Sequence, residues 1–270
     1  MNAQPIVIIT NGNYFARLIL TGLFEEFRGR ISRVVLITGD YKGRTGLSAL
    51  QWLIRKTALP YIAYKVVQMI GVAAAQRLRL RAVLDVSALA KEYGVPISSF
   101  TTIRSDEAVQ SVLDGSPELV VSVSCPQRIG ERILSAPSCG AINIHSSLLP
   151  RYRGLAPYYW VLADNERETG TTVHYMTANF DEGNILAQAK MSIAPGESAF
   201  GLFRRLAMAG SSVLVEAARR ALAGDAGMPQ PVESPSYRSH PDFSSYVRLR
   251  QNGFRLMRLS ELWHSLVETR

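Results

Sequence analysis

Apolar residues along the chain follow two alternating rhythms. Short unbroken runs rich in β-branched residues, PIVIIT (5–10), 34–38, 119–123 and 141–144, predict strands buried on both faces. Helical spacing predicts helices over 14–27, 86–93 and 107–113, the last with Ser105 as N-cap. A short strand is predicted over 95–98, a helix over 156–163, extended segments over 171–176 and 185–193, and a long amphipathic helix over 198–223. Two further helical stretches, 47–58 and 61–80, are separated by Pro60. The second carries Lys65 and Gln68 inside an apolar run too short for a safe membrane span.

This order predicts a doubly wound α/β fold, a Rossmann-like, mostly parallel sheet whose ligands bind outside the carboxyl ends of the strands. After Gly224 the chain turns Pro- and Ser-rich (228–241), read as a linker or meandering tail, and ends in a basic amphipathic piece over 246–266. The expected organisation is a catalytic domain over 1–224, carrying a helical basic insertion at 41–84, and a C-terminal tail over 225–270.

Composition narrows the setting. With 270 residues, 47% hydrophobic and 19% charged, the chain has too much apolar surface for low-complexity disorder. Cys125 and Cys139 cannot form a disulfide framework, and no leader-like segment opens the chain, so the expected location is cytoplasmic. The net charge of +8 belongs to one stretch. Between residues 41 and 84 stand Lys42, Arg44, Arg55, Lys56, Lys65, Arg77, Arg79 and Arg81 with no acidic residue, leaving 22 basic against 22 acidic groups elsewhere. This segment has four readings. It lies on an anionic membrane surface, with Trp52, Leu53, Ile54, Tyr61, Tyr64 and Val67 on the apolar side and the protein peripheral to the inner membrane; it is a cationic lip for a phosphorylated substrate; it is a homo-oligomer contact; or it packs on its own domain with solvated arginines.

The chain has no GxGxxG after the first strand, no GxxxxGK[ST], no CxxC, no HExxH and no GxSxG, so dinucleotide, P-loop, dithiol, metalloprotease and serine-hydrolase chemistries lack support. The informative stretch is NIHSSLLPRYRG (143–154). Strand alternation points Asn143 and His145 the same way, and a carboxamide and an imidazole at a strand end can meet one developing negative charge. Asp181, in the loop NFDEG (179–183), can orient the imidazole and favour its protonated form. By spacing alone, Asn-x-His also describes a satisfied polar pair, and Asp-x-Gly an ordinary turn.

NIHSSLLPRYRG, followed by TGTTVHYMTANFDEGNILAQAKMSI (169–193), resembles the formyltransferase family that uses 10-formyltetrahydrofolate, over roughly 5–193. The family pattern is Asn-x-His, then SLLPxYxG, then a downstream Asp-x-Gly. The resemblance implies that Asn143, His145 and Asp181 are a catalytic triad for direct transfer of a formyl group to a neutral amine. Asn143 and protonated His145 then stabilise the oxyanion, Asp181 supports His145, and no covalent enzyme intermediate forms. It also implies that Ser147, Leu148, Leu149, Pro150 and Gly183 belong to the folate site and that Arg128 and Ile129 lie where the pterin ring is wrapped. No metal is implied, although His145, His174 and Asp181 are metal-capable types; His174 and Cys125 are read as structural.

The loop ITNGNYFAR (9–17) lacks the Gly- and Ser-rich phosphate loop of the purine-pathway branch. About 46 residues follow Gly224, too few for the C-terminal barrel of the tRNA branch. The expected activity is therefore N-formylation of a small-molecule amine, such as an amino sugar on a nucleotide or lipid carrier. The alternative is a methionyl-tRNA formyltransferase-like enzyme without that barrel; nucleic acid is the less expected partner. Asn11, Asn13, Arg153 and Tyr158 are the candidates for the acceptor pocket.

Overall fold

Strand β1 (Ile6–Thr10) is buried along its whole length and divides the interior in two: Ile6 and Ile8 face one apolar cluster, Val7 and Ile9 the other. Period-two alternation in a strand covered on both sides requires this division. A computed structural model describes residues 5–39, 46–77, 85–231 and 235–261. After β1 come α1 (Tyr14–Glu26), β2 (Ile31–Ile37), α2 (Gly46–Lys56), α3 (Leu59–Arg77), α4 (Val86–Glu92), β3 (Ile97–Phe100), α5 (Asp106–Leu113), β4 (Leu119–Val123), α6 (Glu131–Leu134) and β5 (Ala141–His145). The chain continues through β6 (Arg153–Gly154), α7 (Pro157–Ala163), β7 (Glu168–Tyr175), β8 (Ile185–Ser192), α8 (Ala199–Leu222), β9 (Tyr237–Arg238) and α9 (Phe243–Gln251).

Seven strands form one sheet in the order β3-β2-β1-β4-β5-β7-β8. The first five pair in parallel, and β7 and β8 run antiparallel at the far edge. Residues of α1, α4, α7 and α8 cover the cluster on the Ile6 and Ile8 side; α5 and α6 cover the Val7 and Ile9 side. The fold class is the one predicted, and Ser105 caps α5 by accepting from the Ala108 N–H at 3.2 Å.

Several boundaries differ for physical reasons. The third strand starts at Ile97 instead of Val95, because the Val95 N–H bonds back to the Ala90 carbonyl and closes the end of α4. Pro60 does not separate the two basic helices; it sits in the first turn of α3, where its missing N–H costs nothing. Helix α9 begins ahead of the amphipathic piece predicted over 246–266 and covers only its first part. Asp242 caps it through the Ser245 N–H at 2.7 Å, and it ends where the Phe254 N–H bonds back to Leu249. Positions 262–266, like 41–45 and 78–84 of the basic segment, lie outside the described residues, as do the side chains of Trp52, Leu53 and Arg77.

Beyond α8 the chain folds back over the sheet. β9 pairs in parallel with β6, matching Arg153 with Tyr237 and Gly154 with Arg238, and α9 packs on α7 and α3. Among the described residues no helix is long and apolar enough to cross a membrane.

Candidate active site

The carboxyl ends of β4 and β5 open into a cavity of about 530 Å³, beside the point where the winding of the sheet reverses between β1 and β4. Asn143 and His145, two residues apart at the end of β5, both line it. The antiparallel register of β5 and β7 sets His174 opposite Asn143. His174 Nδ1 lies 2.7 Å from the Tyr175 carbonyl, which can only accept, so that nitrogen carries a proton. In the neutral ring Nε2 then accepts from the Asn143 amide at 3.4 Å, leaving the second amide hydrogen of Asn143 for the cavity.

His145 is buried, with Nε2 2.7 Å from the Tyr152 carbonyl and Nδ1 3.7 Å from Asp181 Oδ1. The contact with Asp181 is too long for a hydrogen bond and is an ion-pair distance, which becomes attractive when the imidazole is protonated. Asp181 also lies 3.5 Å from His174 Nε2 and accepts the Gly154 N–H at 2.8 Å. Burial alone would raise the Asp181 carboxyl. With His174 neutral, the positive charge on His145 and the hydrogen bond from the Gly154 N–H outweigh it and hold the group below the usual carboxylate range. The site therefore keeps a carboxylate ionised beside an imidazole.

The backbone is bent to make this possible. Asp181 has φ +55°, and Ser124, Tyr152 and Ala156 around the cavity share the left-handed region. Non-glycine residues rarely adopt it, and such strain concentrates at functional sites. Gly154 has φ +96°, and a Cβ there would lie 2.3 Å from the Arg238 carbonyl. A Cβ on Gly183 would lie 1.9 Å from the Tyr175 carbonyl, so glycine lets the Asp181 loop press against the end of β7.

Two glutamines hold the walls, and neither was singled out by sequence. Gln127 donates to the Thr101 carbonyl at 2.8 Å and accepts from the Ile103 N–H at 3.1 Å, tying the loop after β4 to the end of β3. Gln230 donates to the carbonyls of Asp181 and Gly183 at 2.8 and 2.9 Å and fixes the opposite wall. Arg128 and Ile129 line the cavity between them. The Arg128 guanidinium donates to the Ala178 carbonyl and lies 5.7 Å from the centre of the Phe180 ring. Cys125 also lines it, but burial pushes its thiol up to about 11, against a weaker opposing bond to Gln127, which leaves a poor nucleophile.

Other predicted residues stand elsewhere. Tyr158 lines the cavity, stacked on Phe203 at 4.2 Å with its hydroxyl 2.9 Å from that of Tyr61. Ser147, Leu148, Leu149 and Pro150 do not line it. Their loop is fastened to β7, where the Thr172 hydroxyl accepts from the Leu149 N–H and donates to the Ser147 carbonyl; its contribution is to bring the Tyr152 carbonyl to His145. Asn11 and Asn13 are also absent from the lining. The Asn13 carboxamide caps α1 at the Ala16 N–H (2.9 Å), and Asn11 accepts from the Asn13 N–H. The Arg153 side chain pairs with Glu182 at 3.1 Å and Gln230 at 2.7 Å, outside the lining. No pattern in the sequence around Gln127 or Gln230 marks them, because each bonds to residues far away along the chain.

Comparison with known proteins places this geometry. The family model described as formyl transferase matches residues 33–218. The methionyl-tRNA formyltransferase of Geobacter metallireducens is 39% identical over 139 residues, covering 52% of this chain and 45% of that protein. Its counterpart in Geobacter sulfurreducens is 40% identical over 139 residues, covering 52% and 44%. The chain thus spans less than half the length of these curated relatives. Among solved structures, glycinamide ribonucleotide transformylase 1 from Symbiobacterium toebii superposes with a TM-score of 0.57 at 22% identity, covering 82% of this chain and 88% of that one. An N-formyltransferase from Helicobacter canadensis, in complex with folinic acid and dTDP-3-aminofucose, gives 0.54 at 16% identity, covering 90% and 72%. At these identities the structures share the fold.

Proposed function

Since the chain belongs to the formyl transferase family, we propose that it transfers the formyl group of 10-formyltetrahydrofolate to the amine of a small molecule, with Asn143, His145 and Asp181 as its catalytic residues. The observation that carries this reading is the meeting of a carboxamide, an imidazole and an ionised carboxylate in one cavity of about 530 Å³, a size suited to small-molecule ligands. Bound folate supplies the one-carbon group. Ile129, Leu134, Met176 and Phe180 give the cavity an apolar side suited to its ring, with Arg128 also in the lining.

The free amide hydrogen of Asn143 and the imidazolium of His145 stabilise the oxygen on which negative charge develops. Asp181 stabilises that imidazolium, and the proton lost by the attacking amine ends on the folate nitrogen that is released when its bond to the formyl carbon breaks. Tyr158 and Phe203 form the acceptor side. The nucleotide-linked amino sugar bound by the Helicobacter canadensis enzyme makes that class the first to try.

The test is a panel of amines incubated with 10-formyltetrahydrofolate and the full chain, following tetrahydrofolate release. His145→Ala and Asp181→Ala should each lower turnover by roughly 10²-fold or more while folate binding survives. Unchanged turnover in both would overturn the assignment. A second reading, formylation of an aminoacylated tRNA, is favoured by the identity of the curated relatives. It belongs in the same panel, and it demands tRNA binding that weakens steeply with salt.

A further inference from the structure

Helix α3 faces its side chains the opposite way from an ordinary surface helix. Its inner face is polar-aromatic: Tyr61 and Tyr64 are buried, the Tyr61 hydroxyl meets that of Tyr158 at 2.9 Å, and the Lys65 ammonium lies 5.1 to 5.7 Å from the rings of Tyr61, Tyr64 and Tyr158. Its outer face is aliphatic. Leu59 is 66% exposed, Met69 64%, Ile70 58% and Val67 39%. Residues 59, 63, 67 and 70 repeat at helical spacing, so they form one stripe. On α2, Leu47 and Ile54 add to it. Six of the fifteen exposed large hydrophobic residues among the described residues lie within these 24 positions of a 270-residue chain, which marks an interaction surface.

Charge selects the partner. The stripe belongs to the segment with eight basic and no acidic residues, and Arg55 and Lys56 are exposed at the end of α2 beside it. A second copy is disfavoured, because a two-fold contact would set this uncompensated positive charge against itself. A nucleic acid would match the charge and leave the aliphatic stripe unused. An anionic lipid surface satisfies both, with aliphatic side chains in the acyl boundary and basic groups at the phosphates.

We propose that α2 and α3 dock the protein on an anionic lipid surface through Leu59, Val67, Met69 and Ile70, together with the exposed Arg55 and Lys56. Docking is interfacial, since no described helix is suited to span. It also orients the active site: Lys56 lines the cavity, and α3 contacts Tyr158 on its acceptor side, so the cavity is held close to the lipid.

The test is sedimentation of the full chain with vesicles of phosphatidylcholine alone and of phosphatidylcholine mixed with phosphatidylglycerol, in the absence of folate and amine. Binding to the mixed vesicles should be about tenfold tighter or more, since basic residues are attracted to the anionic headgroups, and it should weaken as salt rises. The double variant Met69→Glu/Ile70→Glu should lose about tenfold or more of this affinity with an unchanged melting temperature, because both positions are exposed. Met208→Glu, on the exposed face of α8, should bind as the unaltered protein does. Equal binding to both vesicle types, no binding to either, or full binding by the double variant would each overturn the proposal. So would a dimer in solution that the double variant abolishes. No substrate is present, so the result is independent of whether formyl transfer occurs.

Discussion

Asn143 and His174 stand opposite each other across the antiparallel pair of β5 and β7, with the carboxamide nitrogen 3.4 Å from the ring nitrogen that the Tyr175 carbonyl leaves as acceptor. His174 thereby sets the rotation of the Asn143 amide and the direction of its free hydrogen. A hydrogen bond of this kind is worth about 1 kcal/mol. His174→Ala is therefore expected to lower kcat about five- to tenfold with little change in KM for folate, and His174→Gln, which retains an acceptor, to recover part of the loss. Steady-state kinetics on both variants check this, with melting temperatures as the control for a buried position.

Asp181 ties acid stability to the site. Its native carboxyl titrates below the usual range, so its contribution is complete above the unfolded value of about 3.9 and is lost as pH falls through the lower native value. Asp181→Asn removes that dependence. The melting temperature of the unaltered protein should fall more steeply below about pH 4 than that of the variant, as a pH series of thermal melts would show.

Asn13 is a helix cap in this structure. Asn13→Ala should cost about 1 kcal/mol of stability, roughly 2–4 °C in melting temperature for a chain of this size, and leave kcat/KM for the acceptor unchanged. A rise in KM without a change in melting temperature would restore Asn13 to the acceptor pocket.

At Gly154, backbone conformation and space act together. Alanine would have to tolerate φ +96° and a Cβ 2.3 Å from the Arg238 carbonyl. Gly154→Ala should destabilise by about 1–3 kcal/mol and displace the N–H that Asp181 accepts, lowering kcat as well. Denaturant melts and turnover measured on one preparation would show whether the two losses occur together.

The alternation of β-branched runs and helical stripes was legible in the chain because burial on both faces of a parallel sheet imposes it locally. The segment from Asn143 to Gly154 was legible for a similar reason: a strand end needs only the residues beside it to aim Asn143 and His145 together. The fastening of the Ser147–Pro150 loop was not legible, since it depends on Thr172 of a later strand.

Chain order and local periodicity thus specified the elements, the sheet class and the face that Asn143 and His145 share. Which groups complete the site was set by contacts between distant residues: Gln127 to the end of β3, Gln230 to the Asp181 loop, Gly154 between Asp181 and Arg238, His174 across from Asn143. The outward turn of the α3 aliphatics was set the same way, by buried tyrosines meeting the body of the protein. Such contacts leave no periodic trace in the sequence, because their strength depends on strand register and chain return, which arise only when segments far apart are packed together.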